Sequence, residues 1–496
     1  MAKPLNPAMA ATFAPPVMEA RRWLEGVAFS SDRPLVNVSQ AAPVDSPPEG
    51  LRRAIAEAAL NDPAAHLYGP VLGMPELRAE ISARWSAAYG GQIAPDQVAI
   101  TQGCNQAFAA AVATLAGAGD EVILPYPWYF NHKMWLDMSG VKTVPLAVGA
   151  GMAPEADAAA QLVTDRTRAI VLVSPNNPCG AEYPAETLRA FHDLARRCGI
   201  ALIVDETYRD FDARSGAPHD LFADPDWADT LIQLYSFSKA YRLTGHRVGA
   251  VVASTERLAE VEKFLDTVAI CPSQLGQIGA LWGMRNLRQW VAGERDEILV
   301  RRRAMVEGFK SLQGWRLLGC GAYFAYVEHP FDMASDVLCK RLVSEASLLM
   351  LPGTMFQPEG SAAGKRQIRI AFANVDAEGI AEVIRRLAAF RPDLLLVSAG
   401  FDAHWDDPLA SAGLSLRGYA DITRKLIGYA EALCGGRILF ILEGGYHLDV
   451  LTIGVRNVLH ALLGQDIVHD PFGHMPQDEH DVSDLLSRLK AHYLLK

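Results

Sequence analysis

The chain has 496 residues, half of them hydrophobic, which is enough for two or three domains with sizeable cores. Its formal charge of -11, with no basic run or stripe, argues against a nucleic-acid partner. Seven widely spaced cysteines without a CxxC pair argue against a disulfide framework or a structural zinc site. No apolar run approaches the ~18 residues of a membrane span, and prolines interrupt the N-terminal stretch where a secretion signal needs an apolar core. The sequence therefore predicts a soluble, cytoplasmic protein without a membrane or nucleic-acid partner.

From about residue 95 to 255 the sequence alternates short apolar runs with helical patterns. The apolar runs are QVAIT, EVILPYP, RAIVLVSP, IALIVDE, TLIQLYS and VGAVVAS. Runs of about four to eight Val, Ile and Leu without in–out alternation are typical of buried parallel strands. Helical stretches such as NQAFAAAVATLAGAGD and AETLRAFHDLARRCG separate several of them. The alternation predicts an open α/β sheet covered on both faces, with ligands at the carboxyl ends of its strands.

The remaining sequence predicts further elements. Residues from about 285 to 310 have the pattern of one long helix, and GAYFAYVE and QIRIAFAN are strand-like runs that follow it. These predict a smaller α+β domain that ends near residue 388. The runs DLLLVSAG and RILFILEGG then begin a third unit with its own strands and helix.

Several polar residues follow the predicted strands. Asn177 lies in the turn NNPCG, Asp205 lies near the end of IALIVDE, and SFSKAYRLTGHRVG contains Ser236, Lys239 and Arg247. Taken singly, such an asparagine or aspartate is more often a satisfied strand-end group, and such a lysine is more often a solvated surface residue. Their joint occurrence at the ligand-binding end of one sheet favours a common site.

These residues together fit one ligand with a phosphate, a basic ring nitrogen, a ring hydroxyl and an aldehyde. The turn QGCNQAF would direct the amides of Gly103, Cys104 and Asn105 at a phosphate, as the start of a helix does. Lys239 would form a Schiff base, and Asp205 would keep a pyridine nitrogen protonated. The sequence therefore predicts pyridoxal phosphate as the cofactor.

The motifs NNPCG, DETYRDF, SFSKAYRLTGHRVG and QIRIAFAN, in this order, resemble those of class I/II aminotransferases, which are fold-type I pyridoxal phosphate enzymes. The resemblance covers roughly residues 20 to 388. It implies an α/β fold: a large domain with a mixed, mostly parallel sheet covered by helices, and a small α+β domain. The expected division is an N-terminal segment of the small domain (1–44), a large cofactor-binding domain (45–285), a small domain (286–388) and a C-terminal unit (389–496).

The resemblance also implies the roles of individual residues. Lys239 would carry the internal aldimine and shuttle the proton, with Asp205 on the pyridine nitrogen and Tyr208 on the ring oxygen. The residues implied to bind the cofactor are Gly103, Cys104, Asn105, Tyr129, Asn177, Asp205, Tyr208, Ser236, Lys239, Arg247 and, from a neighbouring subunit, Tyr68.

The substrate side of the implied site is less complete. Arg369 in QIRIAFAN would bind the α-carboxylate as a planar two-pronged partner, with Asn177 and the backbone at Ala41 beside it. A contribution of Tyr68 from a second subunit implies a homodimer with shared active sites. No second arginine for a distal carboxylate is evident from the motifs, so the substrate side chain stays open. A β-eliminating C–S lyase shares the motifs and remains an alternative to amino transfer.

The segment from about 391 to 475 resembles the C-terminal part of a histone deacetylase-like, or acetoin-utilisation-like, zinc amidohydrolase. That resemblance places Asp402 as a zinc ligand and Tyr446 as the residue that polarises the scissile carbonyl. A hydrolytic zinc site commonly needs three protein ligands and a base. No His-His pair occurs in the chain, and the only well-placed Asp-x-His is Asp402–His404 itself. We therefore expect a fragment without bound metal, and a zinc-dependent deacylase is the less favoured alternative of a different class.

Overall fold

The computed structural model describes residues 5–390, 394–409 and 412–476, together with residues 483 and 488. The chain divides into two compact units, Met1–Ala388 and Ala389–Lys496. The finer division of the first unit into residues 1–44, 45–285 and 286–388 stays a proposal. No helix of the described residues is both long and apolar enough to cross a lipid bilayer.

The strands of the described residues are short in the small sheets and longer in the large one. In chain order they are β1 (Val36–Asn37), β2 (Val98–Thr101), β3 (Glu121–Tyr126), β4 (Lys142–Ala147), β5 (Thr167–Val173), β6 (Ala201–Asp205), β7 (Leu231–Ser236), β8 (Gly249–Val252), β9 (Arg316–Gly321), β10 (Phe324–Glu328), β11 (Leu348–Leu349), β12 (Leu351–Pro352), β13 (Gln367–Ile370), β14 (Leu395–Gly400) and β15 (Ile438–Gly444).

The helices of the described residues vary more in length. In chain order they are α1 (Pro7–Ala11), α2 (Pro16–Arg22), α3 (Glu49–Asn61), α4 (Pro75–Tyr89), α5 (Cys104–Ala113), α6 (Phe130–Met138), α7 (Ala156–Ala160), α8 (Ala185–Cys198), α9 (Phe237–Ala240), α10 (Thr255–Ala269), α11 (Gln274–Asn286), α12 (Arg288–Lys310), α13 (Ser335–Ala346), α14 (Ala377–Ala389), α15 (Leu416–Cys434) and α16 (Leu448–Leu462). The long helix expected near residues 285 to 310 is α12.

The large sheet of the first unit has seven strands in the order β2-β8-β7-β6-β5-β3-β4. Strands β3 to β7 run parallel to one another, but β8 pairs antiparallel with both β2 and β7. The expectation that VGAVVAS forms a parallel strand was therefore wrong. An antiparallel strand buried on both faces has the same unbroken apolar composition as a parallel one, so composition does not reveal its direction.

Helices cover both faces of this sheet, which explains why its central strands are apolar throughout. One face packs against α4, α8 and α11 through residues such as Leu77, Phe191 and Met284. The other packs against α5 and α10 through Phe108 and Leu258. Helix α8 ends where Gly199 adopts a left-handed conformation, with φ of 64°, as the sequence pattern predicts.

A smaller antiparallel sheet has the strand order β12-β13-β10-β9. Its strands follow those of the large sheet in the sequence. Its neighbours in the chain are α12, α13 and α14. Strand β1, from the N-terminal part of the chain, pairs parallel with β11. The α/β class with a mixed, mostly parallel large sheet and a small α+β part is thus confirmed.

The second unit is built on two parallel strands, β14 and β15, with α15 and α16 packed together beside them. Its hydrophobic core includes Phe401, Leu416, Val450 and Val458. Several apolar side chains of the two strands stay exposed, among them Leu396 at 59%. This differs from ordinary parallel sheets, which are covered on both faces.

Candidate functional site

A cavity of about 390 Å³ lies at the carboxyl ends of β5, β6 and β7 in the first unit. Ligands of open α/β sheets bind at this edge. Most of the site residues predicted from the sequence line the cavity. They are Ala41, Cys104, Asn105, Tyr129, Asn177, Asp205, Tyr208, Ser236, Lys239, Arg247 and Arg369.

Lys239 extends into the cavity from the short helix α9, which follows β7 directly. Ser236 caps this helix by accepting a hydrogen bond from the amide of Ser238. The Lys239 Nζ donates to the carbonyl oxygen of Ala41 at 2.6 Å. Burial, together with the positive charges of Arg247 and Arg369, lowers the pKa of Lys239 to about 8. A useful fraction of this amine is therefore neutral, and so nucleophilic, near pH 7.

Asp205 is the buried carboxylate of the cavity and ends strand β6. The Nε2 atom of His132 lies 3.2 Å from its Oδ2 atom, and the amide of Thr207 donates to its Oδ1 atom at 2.9 Å. Burial alone would raise the pKa of Asp205, but these two residues outweigh it and the pKa lies below its ordinary value. Asp205 is therefore a charged group suited to a protonated ring nitrogen.

The start of helix α5 and Arg247 form a cradle for an anion. Gly103, with φ of 82°, precedes the helix, whose first amides have no partner inside it. A Cβ atom on Gly103 would lie 2.1 Å from Arg247 Nη2, and one on Gly249 would lie 2.6 Å from the Gly103 carbonyl carbon. Both glycines are needed for this approach. Gly103 shapes the cradle, although it does not line the cavity itself, and a phosphate fits the donors gathered there.

Arg369 is a buried arginine without an acidic partner. Its Nη1 atom donates to Asn177 Oδ1 at 3.0 Å, and its Nη2 atom donates to the Ser39 carbonyl oxygen. No carboxylate of the described residues lies within ion-pair distance of it, its Nε atom has no hydrogen-bond partner, and burial lowers the pKa of Arg369 to about 10. An uncompensated buried charge is costly, so this guanidinium favours an anionic ligand.

Other groups of the site carried no sequence signal of their own. His132 is 1% exposed and stacks on Phe108, with ring centres 3.9 Å apart, but its place in WYFNH marks no role. Thr207 follows Asp205 by two residues, a spacing typical of an Asx turn that could have indicated it. The outer wall comes from the N-terminal part of the chain, through Pro15, Val17, Met18, Arg21 and Gln40.

Tyr68, like Gly103, is a predicted site residue that does not line the cavity. Tyr68 is 80% exposed, so in a single chain this residue contacts no part of the site. Cys179, in the turn NNPCG, is buried and donates from Sγ to Asn176 Oδ1 at 2.9 Å. Burial raises the pKa of the Cys179 thiol to about 12. The thiol thus acts as a weak hydrogen-bond donor inside the turn.

The residues with deacetylase resemblance follow the two strands of the second unit: Asp402 comes after β14 and Tyr446 after β15. Asp407 accepts hydrogen bonds from the amides of Tyr446 at 2.8 Å and Leu409 at 2.9 Å, so this carboxylate stabilises backbone turns. Tyr446 itself is 54% exposed. Within the part of the chain that the structure describes, no group of three His, Cys, Asp or Glu residues is arranged to hold a metal ion.

Comparison with known proteins agrees with this geometry. The family model for aminotransferase class I and II matches residues 33–387, and the model for the histone deacetylase domain matches residues 369–462. A valine–pyruvate aminotransferase of Mycobacterium tuberculosis is 30% identical over 370 residues, covering 72% of this chain and 91% of that protein. An arginine–pyruvate transaminase of Pseudomonas aeruginosa is 31% identical over 334 residues, covering 66% and 83%.

Solved structures resemble the first unit as well. A Thermus thermophilus aspartate aminotransferase mutant superimposes with a TM-score of 0.70 at 24% identity, covering 78% of this chain and 99% of that one, which bears on the fold alone. The two family matches confirm the resemblance of each part of the sequence. The chain belongs to the aminotransferase class I and II family, whose members depend on pyridoxal phosphate, and it is a transaminase that carries a histone deacetylase-like segment.

Proposed function

We propose that the cavity binds pyridoxal phosphate and that Lys239 both attaches it and moves the proton during amino transfer between an α-amino acid and a 2-oxo acid. The cofactor, when bound, supplies an electron sink for bond breaking at the substrate α-carbon. One observation carries the proposal: a lysine of lowered pKa, a buried aspartate and a buried arginine without an acidic partner line one cavity.

The remaining residues of the cavity support these three. Asn105, Arg247 and the amides after Gly103 would hold the phosphate, with Ser236 and Cys104 beside them. Tyr208, whose ring centre lies 5.8 Å from Lys239 Nζ, would contact the ring oxygen together with Asn177. The full set proposed for the cofactor is Gly103, Cys104, Asn105, Tyr129, Asn177, Asp205, Tyr208, Ser236, Lys239, Arg247 and the partner's Tyr68.

Arg369 would bind the substrate α-carboxylate. Its guanidinium offers two parallel donors to a carboxylate, a geometry that lysine does not provide. Asn177 already accepts from one of its nitrogen atoms and so fixes the plane of the guanidinium. The carbonyl oxygen of Ala41 holds Lys239 at the same wall of the cavity.

The proposed reaction is tested by assaying the purified protein with pyridoxal phosphate, a panel of amino donors and several 2-oxo acids. Amino transfer requires that the new amino acid appear only when a 2-oxo acid is present. Release of ammonia or of a thiol without an acceptor would instead identify the C–S lyase alternative. Protein that shows neither reaction with any donor would contradict the proposal.

A homodimer with shared sites is part of this proposal, supported by the exposed side chain of Tyr68, which the sequence resemblance places at a neighbouring subunit's phosphate. In solution we expect a mass of about twice 53.9 kDa. Replacing Tyr68 with phenylalanine should weaken cofactor retention by about tenfold, the effect of one hydrogen bond to a charged group. Tyr429→Phe in the second unit, at another exposed tyrosine, is the control. A fully active monomer would contradict the shared site.

The lowered pKa of Lys239 predicts how the rate of cofactor attachment depends on pH. Only the neutral amine attacks an aldehyde, so the rate should rise with pH and level off above about 8, as followed by visible absorbance in cofactor-free protein. Arg369→Met removes one of the positive charges that lower this pKa and should move the midpoint upward. Arg53→Met, at an exposed arginine paired with Glu49, should not. A midpoint near the ordinary lysine value would contradict the prediction.

The cytoplasmic location also remains a proposal. It is supported by seven cysteines that are all free in the structure, which fits a reducing compartment. The acidic net charge is the support for expecting no nucleic-acid partner.

A further inference from the structure

Three consecutive residues at the edge of the cavity, Ser39, Gln40 and Ala41, each accept a hydrogen bond from a positively charged side chain. The carbonyl oxygen of Ser39 accepts from Arg369, and the carbonyl oxygen of Ala41 accepts from Lys239 at 2.6 Å. Between them, the side chain of Gln40 accepts from Arg21 Nη2 at 2.8 Å. The arginine proposed to bind the substrate, the proposed reacting lysine and Arg21 are therefore aligned along one short stretch of backbone.

Arg21 reaches this position from helix α2, near the entrance to the cavity. It lines the cavity together with Val17 and Met18 of the same helix. The next residue, Arg22, does not line the cavity and instead forms an ion pair with Glu19 at 3.0 Å. Two adjacent arginines of one helix thus differ in surroundings: one has an acidic partner, and the other faces the cavity.

Arg21 has no acidic partner among the described residues. No carboxylate of these residues lies within 4.0 Å of its guanidinium nitrogen atoms, and its one side-chain hydrogen bond is to the neutral Gln40. Among the described residues that line the cavity, the only carboxylate is that of Asp205, which is already engaged by His132 and Thr207. The charge on Arg21 is thus not neutralised from within the cavity wall.

One positively charged side chain of the cavity has no counterpart when the cofactor and the substrate α-carboxylate are bound. On the proposed function, Arg247 faces the cofactor phosphate, Asp205 the ring nitrogen, and Arg369 the substrate α-carboxylate. Lys239 is engaged in attaching the cofactor and moving the proton. Arg21 remains as a cation without a counterpart, and guanidinium groups bind carboxylates through paired, charge-assisted hydrogen bonds.

We propose that Arg21 is a specificity-determining residue that binds the distal carboxylate of a dicarboxylic amino acid or 2-oxo acid. The inference rests on the proposed function and adds the substrate class. The methylene groups between the two carboxylates would pack on the apolar side chains of Val17 and Phe130, which line the same cavity. Gln40 would hold the guanidinium in place by accepting one of its hydrogens.

The test compares two neighbouring substitutions, Arg21→Met and Arg22→Met, in the cofactor-loaded enzyme. Values of kcat/KM are measured for glutamate, aspartate and alanine as donors, and for 2-oxoglutarate, oxaloacetate and pyruvate as acceptors. We expect the wild type to prefer the dicarboxylic substrates. Arg21→Met should lower the ratio of dicarboxylic to monocarboxylic kcat/KM by about tenfold or more, the effect of losing a hydrogen bond between charged groups. Arg22→Met should leave this ratio within about twofold, as is usual for exposed ion pairs.

Two further measurements sharpen the result. Arg21→Glu should lower the ratio below that of Arg21→Met, because like charges repel the distal carboxylate. Because Arg21 is exposed, the wild-type ratio should also fall as ionic strength rises. A wild type without preference for dicarboxylic substrates, or a ratio that Arg21→Met leaves unchanged, overturns the inference while amino transfer itself persists. Absence of transfer with every donor would instead overturn the proposed function.

Discussion

Replacing Lys239 with alanine is expected to lower kcat for amino transfer on the order of 10⁴-fold or more, the scale seen when a group that is both nucleophile and proton carrier is removed. Covalent attachment of the cofactor should be lost at the same time. The visible absorbance that follows from this attachment should disappear, while bound pyridoxal phosphate can still be released by denaturation. Both effects have one physical reason: Lys239 is the only lysine among the described residues that line the cavity.

The matched control is Lys263→Ala. Lys263 lies on α10 in the same unit, is exposed and pairs with Glu260 at 2.7 Å, away from the cavity lining. It should retain activity and visible absorbance. A Lys239→Ala protein that keeps the wild-type spectrum and rate would show that the chemistry takes place elsewhere.

Replacing Asp205 with asparagine is expected to lower kcat on the order of 10³-fold. The substitution keeps the shape and the hydrogen bond from the Thr207 amide but removes the charge that would hold a ring nitrogen protonated. Loss of one partner of a buried charge pair costs about 2–5 kcal/mol, and each 1.4 kcal/mol corresponds to about a tenfold change. The spectrum of the bound cofactor should shift as well, because protonation of the ring nitrogen alters its absorbance.

Asp193→Asn provides the comparison, since Asp193 is exposed on α8 and far from the cavity lining. Its kinetics should match the wild type. If Asp205→Asn kept full activity, the cofactor would not depend on a negative charge at this position, and the role proposed for Asp205 would be wrong.

The second unit contains most of the deacetylase-like part of the sequence. Its sequence matches the histone deacetylase domain only over residues 369–462, a region that begins within the aminotransferase match. Asp407 stabilises turns there, and the described residues around Asp402 form no group of three metal-binding side chains. Within the described part of this unit, the Asp407 carboxylate thus has a structural role in backbone turns.

The strongest sequence signals were the polar residues that follow buried strands. Asn177, Asp205 and Lys239 were assigned to one site because carboxyl ends of neighbouring strands meet at one sheet edge, and the structure places all three in the same cavity. The sequence was less informative about strand direction, as β8 shows, because an apolar run does not encode its partner. Tyr68 remains a prediction, since its expected contact lies in a second subunit.

Local sequence was enough to predict the fold class and about half of the residues that line the cavity, because these depend on motifs of a few residues next to single strands. The contacts of Lys239 with Ala41, 198 positions earlier, and of Arg369 with Ser39, 330 positions earlier, depend on chain folding over long distances. The position of Arg21 also depends on chain folding. The sequence alone does not show that Arg21 lines the cavity while Arg22 pairs with Glu19. Only the tertiary position of α2 decides which of the two neighbouring arginines lines the cavity.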